Sequence, residues 1–272
     1  MASFPPPARF RLEPDVEATE WIDQRLDQRR EPWPPSVGFI VPNGFEAYAR
    51  LLHPGHRHLG ESHDERVPLR WAEIAEARGK TMHPEVELHA LIDHADEWDY
   101  NHWKAISVGE GEWFPPPEAL EETEALALLS ILRQATSATE EAWFMLWDGY
   151  GDLRGGIDRL PRGTIHRVDE PPDVPAELVG RIFAYRHYLV FRGPLDALPT
   201  WFEWRDEAPN YFWPDDKAWI VATEIDGFST YVGAQKDQID LILESPFLEA
   251  VPCALSDRFD GLGDPINGEP WD

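Results

Sequence analysis

The sequence predicts an α+β fold with a helix-rich N-terminal half and a mainly antiparallel sheet in the C-terminal half. Three observations lead there. Before residue 135, apolar residues recur mostly at helical spacing between recognisable start and stop signals. After residue 140, short dense apolar runs are bounded by Gly, Pro and Asp. Among the latter, Asp226-Gly227 between two apolar runs is a hairpin signal. Elements segregated in this way favour α+β over a doubly wound sheet.

Residues 1–36 read as an extended leader followed by an amphipathic helix. Val16, Ile22 and Leu26 recur at roughly helical spacing between Glu13 and Arg30, and Pro32-Trp33-Pro34-Pro35 breaks the pattern. Residues 37–256 read as one α+β domain. Val37 to Val41 predicts a short strand. Asn43 with Glu46 three positions on predicts a capped helix, whose apolar face is Phe45, Tyr48, Leu51 and Leu52. Gly55 to Pro68 is polar and predicts a loop. Leu69 to Arg78 predicts a helix that Gly79 ends in the left-handed conformation. Pro84 opens another helix to about Asp93, residues 96–117 read as irregular, and Glu118 to Gln134 is a helix with acids in its first turn.

In the second half, Ala142 to Trp147 predicts a buried strand that exits through Asp148-Gly149-Tyr150-Gly151. Gly155 to Glu177 reads as loop, and Ile182 to Arg192 as a long strand stopped by Gly193-Pro194. Ala218 to Ile225 and Ser229 to Gly233 form the predicted hairpin. Lys236 to Ser245 is a helix ended by Pro246, Glu249 to Cys253 a last strand, and residues 257–272 a polar tail.

Charge is the clearest global signal. The 272 residues carry 51 Asp and Glu against 24 Lys and Arg, a net charge of −27. Such a surface repels DNA, RNA and anionic lipid, which argues against direct nucleic-acid binding. It suits a basic protein partner, or mimicry of nucleic acid toward a protein that binds it. Cys253 is the only cysteine and excludes an internal disulfide or a thiolate cluster. The N-terminus lacks the basic and apolar regions of a signal peptide, and no 18-residue apolar run provides a membrane span. The expected location is the cytoplasm.

Three constellations could carry chemistry. Eight of the ten histidines fall between residues 53 and 102; among them His53, His56, His58 and His63 could hold a divalent metal through neutral imidazole. No HExxH motif and no cysteine partner accompanies them, and no cofactor is expected. Asp215, Asp216, Glu224 and Asp226 form an acidic group, with Glu224 on the same strand face as Ile220 and Ala222. A carboxylate on an apolar face has a raised pKa and can act as an acid or bind a cation. Trp147, Asp148 and Tyr150 offer stacking surfaces at a strand end. With Trp213, Asp216, Trp219 and Glu224 they make a candidate aromatic–acidic cleft for a small ligand or an enzyme's substrate. The chain has no P-loop, no dinucleotide fingerprint, no nucleophile elbow and no kinase signature set.

Several phrases stand in order along the chain. They are Val41-Pro42-x-Gly44-Phe45 through His53-Pro54, Trp147-Asp148-Gly149-Tyr150-Gly151, and Tyr188 through Leu195. Trp213-Pro214-x-Asp216-x-Ala218-Trp219, Thr223-Glu224-Ile225-Asp226 and Ser229 through Gly233 follow, with Leu248-Glu249-Ala250 last. Together, over residues 37–255, they resemble an uncharacterised family of actinobacterial cytosolic proteins. That resemblance implies a bacterial cytosolic protein of one architecture and no particular activity. Net acidity, strand-hairpin-helix order and tryptophan content also resemble the SUKH-type immunity proteins, which neutralise toxins by binding them. Taken with the charge, this likeness implies a protein-binding role.

Overall fold

A sheet that takes strands from both halves of the chain organises the protein. The fold is known from a computed structural model. It describes residues 7–13, 17–27, 36–58, 66–92, 112–147, 149–150, 157–159, 165–167, 179–183, 186–225, 227–258 and 264–268. The strands of the main sheet are β1 (Arg11–Leu12), β2 (Ala47–Leu52), β6 (Ala142–Trp147), β9 (Val179–Phe183), β10 (Arg186–Gly193), β11 (Tyr211–Pro214), β12 (Ile220–Thr223), β13 (Ser229–Ala234) and β14 (Ala250–Pro252). Eight of the nine run in the order β1-β10-β6-β11-β12-β13-β2-β14, and β9 pairs with the other part of β10. A second sheet has the order β4-β3-β5, from β3 (Gly55–His58), β4 (Arg66–Leu69) and β5 (Glu112–Phe114), and β7 (Ile157–Arg159) pairs with β8 (Ile165–Arg167). Every pairing is antiparallel.

The helices are short and spread along the chain: α1 (Glu20–Asp23), α2 (Trp71–Arg78), α3 (Leu88–Ile92), α4 (Glu122–Leu132), α5 (Leu198–Phe202) and α6 (Lys236–Leu243). The α+β class therefore holds, but the helix-rich N-terminal half does not. The decisive correction is at residues 43–52, where strand β2 follows a bend and no capped helix forms. Ala49 and Leu51 enter one core cluster, while Tyr48 and Leu52 pack on the opposite face. That is a period of two with both faces buried, and it coincides with helical spacing over so short a run. β13 and β14 flank β2 and take its backbone groups, which only an extended chain can offer to both sides. Glu46 caps a different helix, its Oε2 accepting the Lys236 N–H at the start of α6 at 3.2 Å.

The other differences have similar causes. Between Glu13 and Arg30 the described chain has a 3₁₀ turn at Glu17–Thr19 and the single turn α1, after which the Asp27 N–H is drawn to the Gly38 carbonyl at 2.7 Å. Val37–Phe39 is a 3₁₀ turn, not a strand; the Val37 and Gly38 N–H groups go to the Asp257 and Leu255 carbonyls. The polar stretch after Gly55 is strands β3 and β4, with Pro68 on β4. β7 and β8 lie where loop was expected. β11 was not anticipated at all. The elements whose signals agreed are α2 with Gly79 at φ 65°, α4, β6, the β12–β13 hairpin, α6 and β14.

The main sheet is buried on both faces, which explains the unbroken run of β6. Ala142, Phe144 and Leu146 point into a cluster covered by α4, α5 and α6, with Trp201, Phe212 and Trp219 at its centre. Trp143 and Met145 point the other way, into a cluster with Tyr211, Trp213 and Tyr231 that is covered by Trp21, Ile22, Leu26 and Val37 to Val41. Residues 17–27 thus pack on the sheet, and Phe10 is in the first cluster. Burying each such large apolar side chain contributes ~1.5–3 kcal/mol. A third cluster joins α2 and α3 to Leu52 and Trp113. No helix among the described residues is long and apolar enough to cross a membrane.

Candidate functional site

The residues nominated for an aromatic–acidic cleft do not all converge. Trp213 and Trp219 are both 0 % exposed and lie in clusters on opposite faces of the sheet. Trp213 stacks on Trp143 with 6.3 Å between ring centroids, while Trp219 meets Phe212 edge-on at 5.8 Å. Asp216 is an exposed turn residue. Its carboxylate accepts the Thr136 hydroxyl at 2.8 Å and the backbone N–H groups of Ser137 and Ala218 at 3.2 Å each. Those bonds outweigh its slight burial and hold its pKa below the ordinary value. Glu224 is buried just past β12. Asp148 and Asp226 lie outside the described residues.

Of the histidines nominated for metal, His53 and His56 serve the interior. His53 is fully buried. Its Nδ1–H donates to the Pro117 carbonyl at 2.8 Å, which leaves Nε2 to accept the Thr230 hydroxyl at 2.8 Å. Thr230 in turn lies 2.7 Å from the Thr223 hydroxyl. Burial lowers the pKa of His53 to about 4, with the Arg50 charge adding to the effect, so the ring is neutral. His56 Nε2 donates to Glu121 Oε2 at 2.8 Å. The His58 side chain and His63 lie outside the described residues. Among the described residues no three His, Cys, Asp or Glu side chains are grouped to hold a metal ion.

What the fold does assemble is an acidic rim with half-buried aromatics, built from two loops. The first runs from Pro117 into α4, the second from α5 through Asn210, and the Ala208 N–H donates to the Leu120 carbonyl at 2.9 Å to join them. Glu122 and Glu124 sit in the first turn of α4, where the helix dipole favours negative charge. Glu121, at the N-cap, makes no side-chain cap bond and turns to His56 instead. Burial raises the pKa of Glu121, and nearby Asp206 raises it further against an opposing effect of Arg66. Burial likewise raises Glu124, with Glu121 contributing. Like charges are thus held together at some cost.

Asn210, 0 % exposed, fixes the aromatic side of the rim. Its Oδ1 accepts the Trp147 N–H at 2.8 Å, its Nδ2 donates to the Tyr150 hydroxyl at 3.3 Å, and its carbonyl accepts the Thr223 N–H at 2.7 Å. Trp147 meets Tyr150 edge-on at 5.3 Å, and a Cβ at Gly149 would fall 2.1 Å from the Trp147 ring, so only glycine fits that turn. The Arg205 guanidinium lies 4.8 Å from the Tyr150 centroid and 5.8 Å from that of Trp204, with Glu207 at 3.5 Å. Burial and the Glu207 charge push the Tyr150 hydroxyl up to about 12.

Trp147 and Tyr150, expected from sequence, do belong to this rim. Glu121, Glu124, Arg205, Asp206, Glu207, Asn210 and Glu118, whose charge also raises the Tyr150 hydroxyl, were not anticipated. The acids before α4 had a sufficient explanation in the helix dipole, and nothing in the sequence ties residue 121 to residue 206. The arrangement can receive cationic groups on its carboxylates and present flat apolar surface beside them. No known protein family, curated protein or solved structure matches this chain.

Proposed function

We propose that the chain is a protein-binding protein whose partner is basic, an immunity-type factor acting in the cytoplasm, and that the acidic–aromatic rim is where the partner docks. One observation carries the reading: besides burial, the Asp206 charge raises the pKa of Glu121 and the Glu121 charge that of Glu124, on a rim that also holds the partly exposed rings of Trp147, Tyr150 and Trp204. An incoming Lys or Arg would relieve that repulsion, and the aromatics would supply apolar contact where interfaces favour it. The net charge of −27 would steer such a partner toward the surface from a distance. The likeness to an actinobacterial cytosolic family is part of this reading and assigns no chemistry of its own.

The test uses a fluorescent synthetic Lys/Gln peptide as a basic probe, followed by anisotropy at low and high salt. The rim variant E118Q/E121Q/E124Q is compared with E17Q/E76Q/E140Q, which removes equal charge elsewhere. The rim variant is expected to weaken binding by about tenfold and the control by no more than about twofold, both effects shrinking in salt. Equal weakening by the two variants would refute docking at the rim.

A further inference from the structure

Among the described residues three large apolar side chains are exposed: Leu241 at 46 %, Phe247 at 70 % and Ile266 at 58 %. Two of them flank the C-terminal end of α6. That helix buries Ile239 and Ile242 against the sheet, and turns Asp237, Leu241 and Glu244 outward on one stripe. Its exposed cation, Lys236, is spent on Asp240 at 2.5 Å, four residues along the same helix. The stripe is therefore apolar at Leu241 and acidic on either side.

Phe247 projects from a turn that is held in place. The Phe247 N–H donates to Ser245 Oγ at 3.3 Å, Leu248 is 4 % exposed in the core, and the Pro246 carbonyl accepts a hydrogen bond from the Arg70 guanidinium. The turn adjoins the rim, because α6 packs against α4, whose first turn carries Glu124, and the Arg70 charge acts on that carboxylate. An aromatic ring fixed on a rigid turn loses little freedom when it is covered, a property of interface anchors.

We infer that Phe247 and Leu241 form an apolar anchor at the end of the acidic rim, and that they receive a cationic amphipathic helix of the partner. This rests on the reading of the rim as the docking surface for a basic protein. Charge selects the occupant. A second copy of this chain would bring another −27 against Asp237 and Glu244, whereas Lys or Arg beside an apolar stripe matches both. Apolar side chains of the helix would cover Leu241 and Phe247, and its cations would face Asp237, Glu244 and, past Arg70, Glu124.

The experiment compares two synthetic peptides of equal charge and length, an amphipathic Lys/Leu helix and the Lys/Gln peptide. Three proteins are titrated: the wild type, F247S/L241Q, and the rim variant E118Q/E121Q/E124Q. Circular dichroism first establishes that each is folded. The wild type is expected to prefer the Lys/Leu peptide by about tenfold. F247S/L241Q should lose that preference and keep its affinity for Lys/Gln, while the rim variant should weaken both peptides alike. A wild type without preference, or a preference surviving in F247S/L241Q, overturns the anchor and leaves the rim standing. A preference that depends on Phe247 while the rim variant binds Lys/Gln like the wild type overturns the rim and keeps the anchor.

Discussion

His53 makes the protein's stability depend on pH in a calculable way. The ring is fully buried, bonded at both nitrogens, and has its pKa lowered from 6.5 to about 4. In the unfolded chain it titrates near its ordinary value, so between those two pH values the unfolded state holds a proton that the folded state does not. A folded pKa that is depressed gives stability that is complete above the unfolded pKa. The stability is lost as pH falls toward the folded pKa. The loss therefore begins near pH 6.5, is complete by about pH 4, and amounts to about 3 kcal/mol at 1.36 kcal/mol per pH unit. Glu121, Glu124 and Glu249 act in the opposite sense, because their raised pKa values add stability as they protonate. A non-titrating H53Q variant isolates the histidine. Urea denaturation of both proteins between pH 7 and 4 should show the wild type's advantage over H53Q shrinking by about 3 kcal/mol. A constant gap across that range would refute the neutral buried ring. Should H53Q fold poorly, the NMR titration of the His53 ring in the wild type reads the same quantity, and a midpoint near 6.5 would be equally fatal.

Two further perturbations test the interior. Arg50 is 5 % exposed and donates to Glu87, to the Val86 carbonyl at 2.9 Å and to Ser229 Oγ at 2.9 Å; burial would lower its pKa, but the Glu87 charge prevails and holds it above the ordinary value. E87A leaves that charge buried without its carboxylate and should cost about 3–5 kcal/mol in urea denaturation, whereas the double change R50M/E87L should recover most of the loss; a single-variant cost below about 1 kcal/mol would remove the pair from the account of stability. G55A sets a Cβ 2.6 Å from Trp113 Nε1 and 2.9 Å from the Phe114 carbonyl, where β3 meets β5, and should lower stability by about 1–3 kcal/mol, read from the thermal midpoint. An unchanged midpoint would mean that the second sheet yields there without penalty.

The sequence was most legible where a local signal and a tertiary demand coincide. α6 reads as a helix because Ile239 and Ile242 share its inner face and Pro246 follows its end; β12 and β13 read as a hairpin because Asp226-Gly227 separates two apolar runs. β2 was illegible for the converse reason. Its buried faces are Ala49 with Leu51 and Tyr48 with Leu52, and Arg50 interrupts the second with a charge whose partner, Glu87, lies just before α3. No alternation of apolar and polar residues survives such a strand, so a helical period fits it equally well. The rim was illegible because it is made by the Ala208–Leu120 bond between loops far apart in sequence.

The most recognisable phrase, Trp213-Pro214-x-Asp216-x-Ala218-Trp219, shows why conspicuous residues misled the search for a site. Trp213 and Trp219 each fill a different core cluster, Asp215 accepts the Trp143 indole N–H at 2.9 Å, and Asp216 accepts the Thr136 hydroxyl, the Ser137 N–H and the Ala218 N–H of its own turn. Lys217 between them sits at φ 56°, a conformation that non-glycine residues adopt only when the surroundings dictate it. Each position is specified by the passage of the chain from β11 to β12, across a sheet buried on both faces. The phrase thus gives its two tryptophans to the interior, and its exposed Asp215 and Asp216 to hydrogen bonds that hold the turn. In the proposed reading, recognition would fall instead to the acids at the N-terminal end of α4, to Leu241 on α6 and to Phe247 just beyond it, side chains that the three core clusters do not use.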